Sequence, residues 1–228
     1  MFASTLLPDM LRQYRTVHLD VQIVMRDDAT PARIQRLVQD GEADLGITPI
    51  HRTHLELLVI DVMMDDELVL ACPAGHALAR CNEVKWHELS RFPLIGFARD
   101  NGLQMLVNGA SDAAGIKLRM HYEVSSIATA VALVDAGLGI SVLPSYTHTA
   151  RRFNRIQFQR LVEPVIQREL CLLCLRDRVM LPAAQVFADV LREHMSGAGK
   201  RRIRGARSGS QPPTNAEVPK AGKSCPDS

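Results

Sequence analysis

The chain has 228 residues, 46% of them hydrophobic and 23% charged, with a formal net charge of +2; this allows one large core or two modest lobes and excludes fibrous, disulfide-stapled and wholly disordered classes. Its apolar runs, such as 68–72 and 170–175, are strand-sized and far short of the roughly 20 residues that span a bilayer. Residues Met1 to Thr5 carry neither a basic leader nor a cleavage site, so a cytoplasmic protein with no membrane contact is expected.

The first element is an amphipathic helix. Leu7, Met10, Leu11 and Tyr14 fall on one stripe at i, i+3, i+4 and i+7. A strand is predicted next, over 17–23, because Val17, Leu19, Val21 and Ile23 alternate with His18, Asp20 and Gln22. Thr30-Pro31 reads as an N-cap with proline at the first helical position, opening a helix that carries Ile34, Leu37 and Val38 and stops at Gly41. A short strand over 43–47 follows. Helices and strands go on alternating, with strands near 57–62, 68–72, 93–97 and 118–124, a helix over 103–110, a helix over 126–136 and a strand over 139–143. A short helix near 145–152, strands near 156–162 and 169–176 and a last helix through Val186, Phe187, Val190 and Leu191 complete the body. The pattern predicts an α/β architecture with largely parallel sheets.

Beyond Met195 the composition turns to Gly, Ser, Pro, Lys and Arg. Such a segment cannot repay its own ordering entropy, so 197–228 is expected to be a disordered basic tail. That tail carries +5, which leaves the body at about −3, without the basic footprint of a nucleic-acid-binding surface.

Several motifs invite chemistry and are better read as structure. Gly137 and Gly139 follow a helix and precede a strand, the reverse of a phosphate loop, so Gly137 is expected to be a helix C-cap. His51 and His54 lack a third metal ligand at a useful spacing, and Asp65-Asp66-Glu67 reads as a charged turn before a strand, so no metal and no cofactor are expected. Five cysteines, Cys72, Cys81, Cys171, Cys174 and Cys225, form an odd and irregular set, for which reduced thiols are expected. Nothing matches a nucleophile elbow or an acid–base pair, so no catalytic residue and no enzyme are expected. What remains is a series of polar residues where strands end and helices begin, Ser4, Thr5, Thr30, Thr48, Ser125 and Ser126. Each suits plain capping, and together they suit a small-molecule cleft at the carboxyl ends of an open sheet.

Four blocks carry a resemblance. They are Leu6-Leu7-Pro8, LVQDGEADLGI at 37–47, ELVLACPAGHALA at 67–79 and LVDAGLGISVLP at 133–144. In this order and spacing they resemble the C-terminal effector-binding (substrate-binding) domain of LysR-type transcriptional regulators, over residues 1–195. The resemblance implies two Rossmann-like subdomains joined by two crossover strands, a type 2 periplasmic-binding-protein-like fold. Subdomain I would comprise 1–68 and 163–196 and subdomain II 69–162, with the crossings near 67–70 and 161–164. By motif position the effector would lie against Ser4, Thr5, the loop ending at Thr30, Thr48, Phe97, Arg99, Ser125 and Ser126, with Arg99 suited to a carboxylate.

The resemblance also implies a winged helix-turn-helix, a linker helix and a first strand ahead of Leu6, which these residues do not include. DNA would be engaged only through that head. The expected function is therefore the sensing of a small, anionic metabolite by cleft closure, in a homo-oligomer (dimer or tetramer) whose pairing would use 10–14 and 17–23. The alternatives are a solute-binding protein of a transport system, a two-lobed enzyme, or a truncated fragment that senses nothing.

Overall fold

In a computed structural model of the protein, residues 2–26, 30–49, 56–149 and 155–207 are described. Helix α1 (Phe2–Val17) buries the predicted stripe, with Leu7, Met10 and Tyr14 packed against Leu172, Ala188 and Leu191. It begins at Phe2, so Pro8 lies inside the helix rather than opening it, and its missing N–H leaves one helical hydrogen bond unmade. Helix α2 (Pro31–Gln39) is followed by β1 (Gly46–Pro49), and the two meet closely at Gly46, where an added β-carbon would sit 2.7 Å from Ile34 Cγ2.

The longest strand, β2 (Leu58–Pro73), belongs to two environments. Up to Glu67 it pairs antiparallel with β8 (Gln167–Leu175); from Leu68 onward it pairs antiparallel with β6 (Ser141–Pro144) and β7 (Ile156–Val162). In between come β3 (Glu83–Lys85), β4 (Leu94–Phe97), α3 (Gly102–Ala113), β5 (Met120–Val124) and α4 (Ile127–Asp135). The final helix, α5 (Pro182–Arg207), returns to pack beside α1 and β2.

The core follows this division. One cluster joins Leu68, Leu70, Trp86, Leu94, Val107, Val131 and Leu143, and a second joins Met10, Tyr14, Leu172 and Leu191. Each fully buried aliphatic side chain adds about 1.5–3 kcal/mol, so each cluster is a lobe's own source of stability. Trp86 is fully buried in the first cluster, and its Nε1–H donates to the Pro164 carbonyl at 2.8 Å.

Four expectations about the secondary structure need correction. Residues 17–23 do not form a strand: α1 runs through Val17, and 21–26 carries no regular structure. A strand needs a ladder partner, and among the described residues β1 pairs only with β8, so 21–26 has none; Val21 and Ile23 dock on the α1 cluster instead. The sheets are not largely parallel, because the crossing strands run antiparallel to their neighbours. Parallel pairing among the described residues is confined to β3 with β7, β4 with β5, and a bridge from Leu94 to Ile140. The segment expected to lack structure from 197 begins as part of α5, which extends to Arg207; 208–228 lie outside the described residues. Asp65, Asp66 and Glu67 are not a turn but part of β2.

Cys72, Cys171 and Cys174 form no disulfide, whereas Cys81 is disulfide-bonded, so the expectation of reduced thiols fails at Cys81. Burial pushes the Cys72 thiol up to about 11.

Candidate functional site

Each loop of the candidate site is set by a helix cap. Thr30 is extended and its Oγ1 accepts the Arg33 N–H at 3.3 Å, with Pro31 at the first helical position of α2. Asn101 does the same for α3, its Oδ1 accepting from Leu103 at 2.9 Å, and Ser126 does it for α4, its Oγ accepting from Thr129 at 3.1 Å. None of the three helices has an acidic residue in its first turn. The partial positive charge of each N-terminus is therefore left unneutralised by its own helix.

Strand pairing brings two of these helix starts side by side. β4 and β5 are parallel neighbours with Phe97 opposite Val124, so the loops that leave them, toward α3 and α4, emerge at the same edge. Gln104 shapes the first loop: its Oε1 accepts the Phe97 N–H at 2.8 Å, and its Nε2–H donates to Asn108. Gly96 makes room for this, because a β-carbon there would lie 2.9 Å from Gln104 Oε1 and 2.5 Å from Met120 Sδ. The third helix start comes from the other lobe. A β-carbon on Gly102 would meet Pro31 Cγ at 3.8 Å, so the N-termini of α2 and α3 face one another across the gap between the two sheets.

The structure thus puts Thr30 at the start of α2, near that of α3, and Arg99, Ser125 and Ser126 in the two loops that leave the neighbouring strands β4 and β5. Arg99, Ser125 and Ser126 are exposed there, and Asp100 beside Arg99 is exposed too. Two other expected residues are buried. Phe97 is 2% exposed and belongs to the core, and Thr48 is 1% exposed with its hydroxyl donating to the neighbouring Pro49 carbonyl at 3.2 Å. Ser4 and Thr5 lie in α1, and their side chains fall outside the described part, as do 28–29 and His51 and His54. Sequence reasoning missed Asn101 and Gln104. The Asn-Gly pair before the 103–110 stripe was a readable N-cap signal, whereas nothing in the sequence marks Gln104 as buried.

A groove of about 470 Å³ lies elsewhere, between α1 and residues 19–25, lined by Leu11, Arg15, Leu19, Val21 and Ile23 among others. From α1 it takes Leu11 and Arg15, and it gathers none of the helix N-termini. Among the described residues no cluster of three or more His, Cys, Asp or Glu side chains could hold a metal ion. Among them, too, no helix is long and apolar enough to cross a membrane.

Comparison with known proteins follows the same lines. The family model described as the LysR substrate binding domain matches residues 1–196. The HTH-type transcriptional regulator YbhD of Escherichia coli K12 is 30% identical over 185 residues, covering 81% of this chain and 58% of that protein. A probable nitrogen assimilation transcriptional activator of Synechococcus elongatus is 26% identical, over 81% of this chain and 59% of its own length. The chain therefore spans less than two thirds of these relatives. Among solved structures, the effector binding domain of QuiR in complex with shikimate superposes with a TM-score of 0.70 at 20% identity, over 86% of this chain and 93% of that one. The Synechocystis CcmR regulatory domain in complex with 2-PG gives 0.73 at 20% identity, over 84% and 91%. The fold is that of such effector-binding domains, two α/β lobes of the type 2 periplasmic-binding-protein kind.

Proposed function

Because the chain belongs to the LysR substrate-binding domain family, as the effector-binding domain of a LysR-type regulator, we propose that its cleft takes a small anionic metabolite and that closure of the cleft is its signal. Subdomain I would be 1–68 with 163–196 and subdomain II 69–162, with the effector between them. The supporting observation is that the α3 and α4 starts leave neighbouring strands at one edge, that the α2 start lies near that of α3, and that none of the three helices carries an acid in its first turn, with Arg99 in the loop before α3. Free N–H groups and a helix dipole favour negative charge, and Arg99 supplies a planar fork for a carboxylate or phosphate.

The ligands named for two structural neighbours, shikimate and 2-PG, make a natural start to a ligand panel. Binding would bias which arrangement of lobes is populated, and so how regulatory domains pair in a homo-oligomer. Contact with DNA would belong to a separate head, since the body carries no net basic charge. The relatives are transcriptional regulators, which supports a sensor rather than an enzyme.

A thermal-shift screen of small carboxylates and phosphates, shikimate and 2-PG included, tests it. A ligand at 100 times its Kd adds about 2.7 kcal/mol of stability, and Arg99→Ala should weaken that response. An unchanged response in Arg99→Ala would remove Arg99 from the site, and turnover of a bound compound would make the domain an enzyme.

A further inference from the structure

Asp66 sits where β2 changes sheets. Glu67 is the last residue paired with β8 and Leu68 the first paired with β6, so Asp66 lies one residue short of the crossing. Its carboxylate is almost wholly buried, and its two oxygens serve different lobes. Oδ2 accepts from Arg168 Nε at 2.6 Å, from the residue directly opposite it on β8; the two side chains are 1% and 9% exposed. Oδ1 accepts from the Ser145 hydroxyl at 2.8 Å and the Tyr146 N–H at 3.3 Å, at the start of the 3-10 turn Ser145–Thr149 that leaves β6. The Arg168 guanidinium also lies 6.0 Å from the Tyr146 ring centroid. That turn, although it continues a strand of the second sheet, packs on α1 of the first lobe.

A buried ion pair is tolerated only when its lone pairs and protons are met by well-aligned partners. Here the partners of one carboxylate are split between lobes, so the cluster fixes the lobes' relative position at the crossing itself. The second crossing enters β8 at Gln167, next to Arg168, so both connecting strands pass the same point. Rotation of one lobe on the other moves atoms least near its axis, and a polar tie survives there. The next residue along the turn carries the complementary feature: the Thr147 hydroxyl is fully buried and has no hydrogen-bond partner among the described residues. An unmet buried hydroxyl raises the energy of the present arrangement, which gives the turn a reason to shift while its Ser145 end stays anchored.

We propose that Asp66, held by Arg168 and bound to Ser145 and Tyr146, is the pivot tie of the two lobes, and that its inter-lobe arm sets how far the distant mouth opens. The tie rests on the two-lobed cleft and not on any ligand, so its test and the ligand screen fail separately.

The test is amide hydrogen exchange on the full chain without ligand, comparing wild type with Ser145→Ala, which deletes the inter-lobe hydroxyl and leaves Asp66–Arg168 intact. Exchange at Arg33 and Leu103, at the two helix starts facing across the mouth, should rise roughly two- to tenfold, as expected for losing one ordinary hydrogen bond. Ladder amides at Ile60 and Leu173 should stay as they are. Unchanged exchange at both helix starts, or a uniform rise at all four positions, would overturn the proposal in favour of simple structural support. Should Ser145→Ala fail to fold, Ser145→Cys, which exchanges the hydroxyl for a weak thiol donor, is read by the same four amides and the same two outcomes.

Discussion

Pro31 and Gly102, the first residues of α2 and α3, face one another so closely that a β-carbon on Gly102 would meet Pro31 Cγ at 3.8 Å. At 3.8 Å a methyl there makes ordinary van der Waals contact. Gly102→Ala should therefore keep any ligand response and stabilise the chain by about 0.4–1 kcal/mol through a less flexible unfolded state. Gly102→Trp, whose ring has to displace Pro31, should hold the mouth apart and diminish ligand-induced thermal shifts. Urea titration and the ligand panel, run on both variants, check the pair.

Gly137 and Gly139 are two residues apart and constrained for different reasons. Gly137 is left-handed at φ 77° and closes α4, its N–H donating to Val134 while the Leu138 N–H reaches Leu133, with open space around it. Gly137→Ala should cost about 1–2 kcal/mol, the backbone penalty alone. A β-carbon on Gly139 would lie 2.5 Å from the Pro93 carbonyl oxygen, a backbone atom held by the Ile140 N–H. Gly139→Ala should cost roughly 1–3 kcal/mol or more by overpacking. Equal losses in chemical denaturation would contradict this division.

Trp86 is the one tryptophan in the chain and is fully buried in the second lobe's core. Its emission should be blue-shifted in the native state and move to the red as that lobe unfolds. Trp86→Phe leaves the Pro164 carbonyl without its indole donor and should destabilise by roughly 1–3 kcal/mol. A shift in the denaturation midpoint followed by circular dichroism measures the loss.

His76 caps the 3-10 turn Ala77–Arg80, its Nδ1 accepting the Leu78 N–H at 3.2 Å, and its ring meets Phe92 edge-on. Burial lowers its pKa below the ordinary 6.5. The unfolded chain therefore takes up the proton first as pH falls, and the stability conferred by neutral His76 is present above 6.5 and lost progressively below it. Relative to wild type, His76→Asn, which retains a capping acceptor, should show a flatter decline in midpoint over that acidic range. Parallel slopes for the two proteins would exclude His76 as the source.

Local rules settled a good part of this architecture. Thr30-Pro31 opens α2, Gly41 and Gly137 close helices in left-handed conformations, and Leu7, Met10 and Tyr14 bury one face of α1, each as propensity and period require. Residues 17–23 show where period alone misleads. Their alternation fits a strand, yet a strand exists only where a neighbour supplies its hydrogen bonds, and that is a property of the sheet. The site divides the same way. Arg99, Ser125 and Ser126 were legible as polar residues at strand ends, but Phe97 turned inward, and Gln104, one polar residue among the apolar ones of α3, gave no sign that it would cap a backbone amide.

Asp66 marks the boundary most clearly. In sequence it is the middle of three acids and reads as a charged turn; in the fold it is buried with Arg168, 102 residues away, and Ser145, 79 away. The sequence by itself determined the order of the elements, their caps and the family to which the four blocks belong, because these depend on residues within a few turns of one another. Only the tertiary structure decided which strands found partners, which helix starts face the cleft and where a buried charge could be held. Those outcomes depend on desolvation and on hydrogen bonds between segments far apart in the chain, which no local pattern encodes.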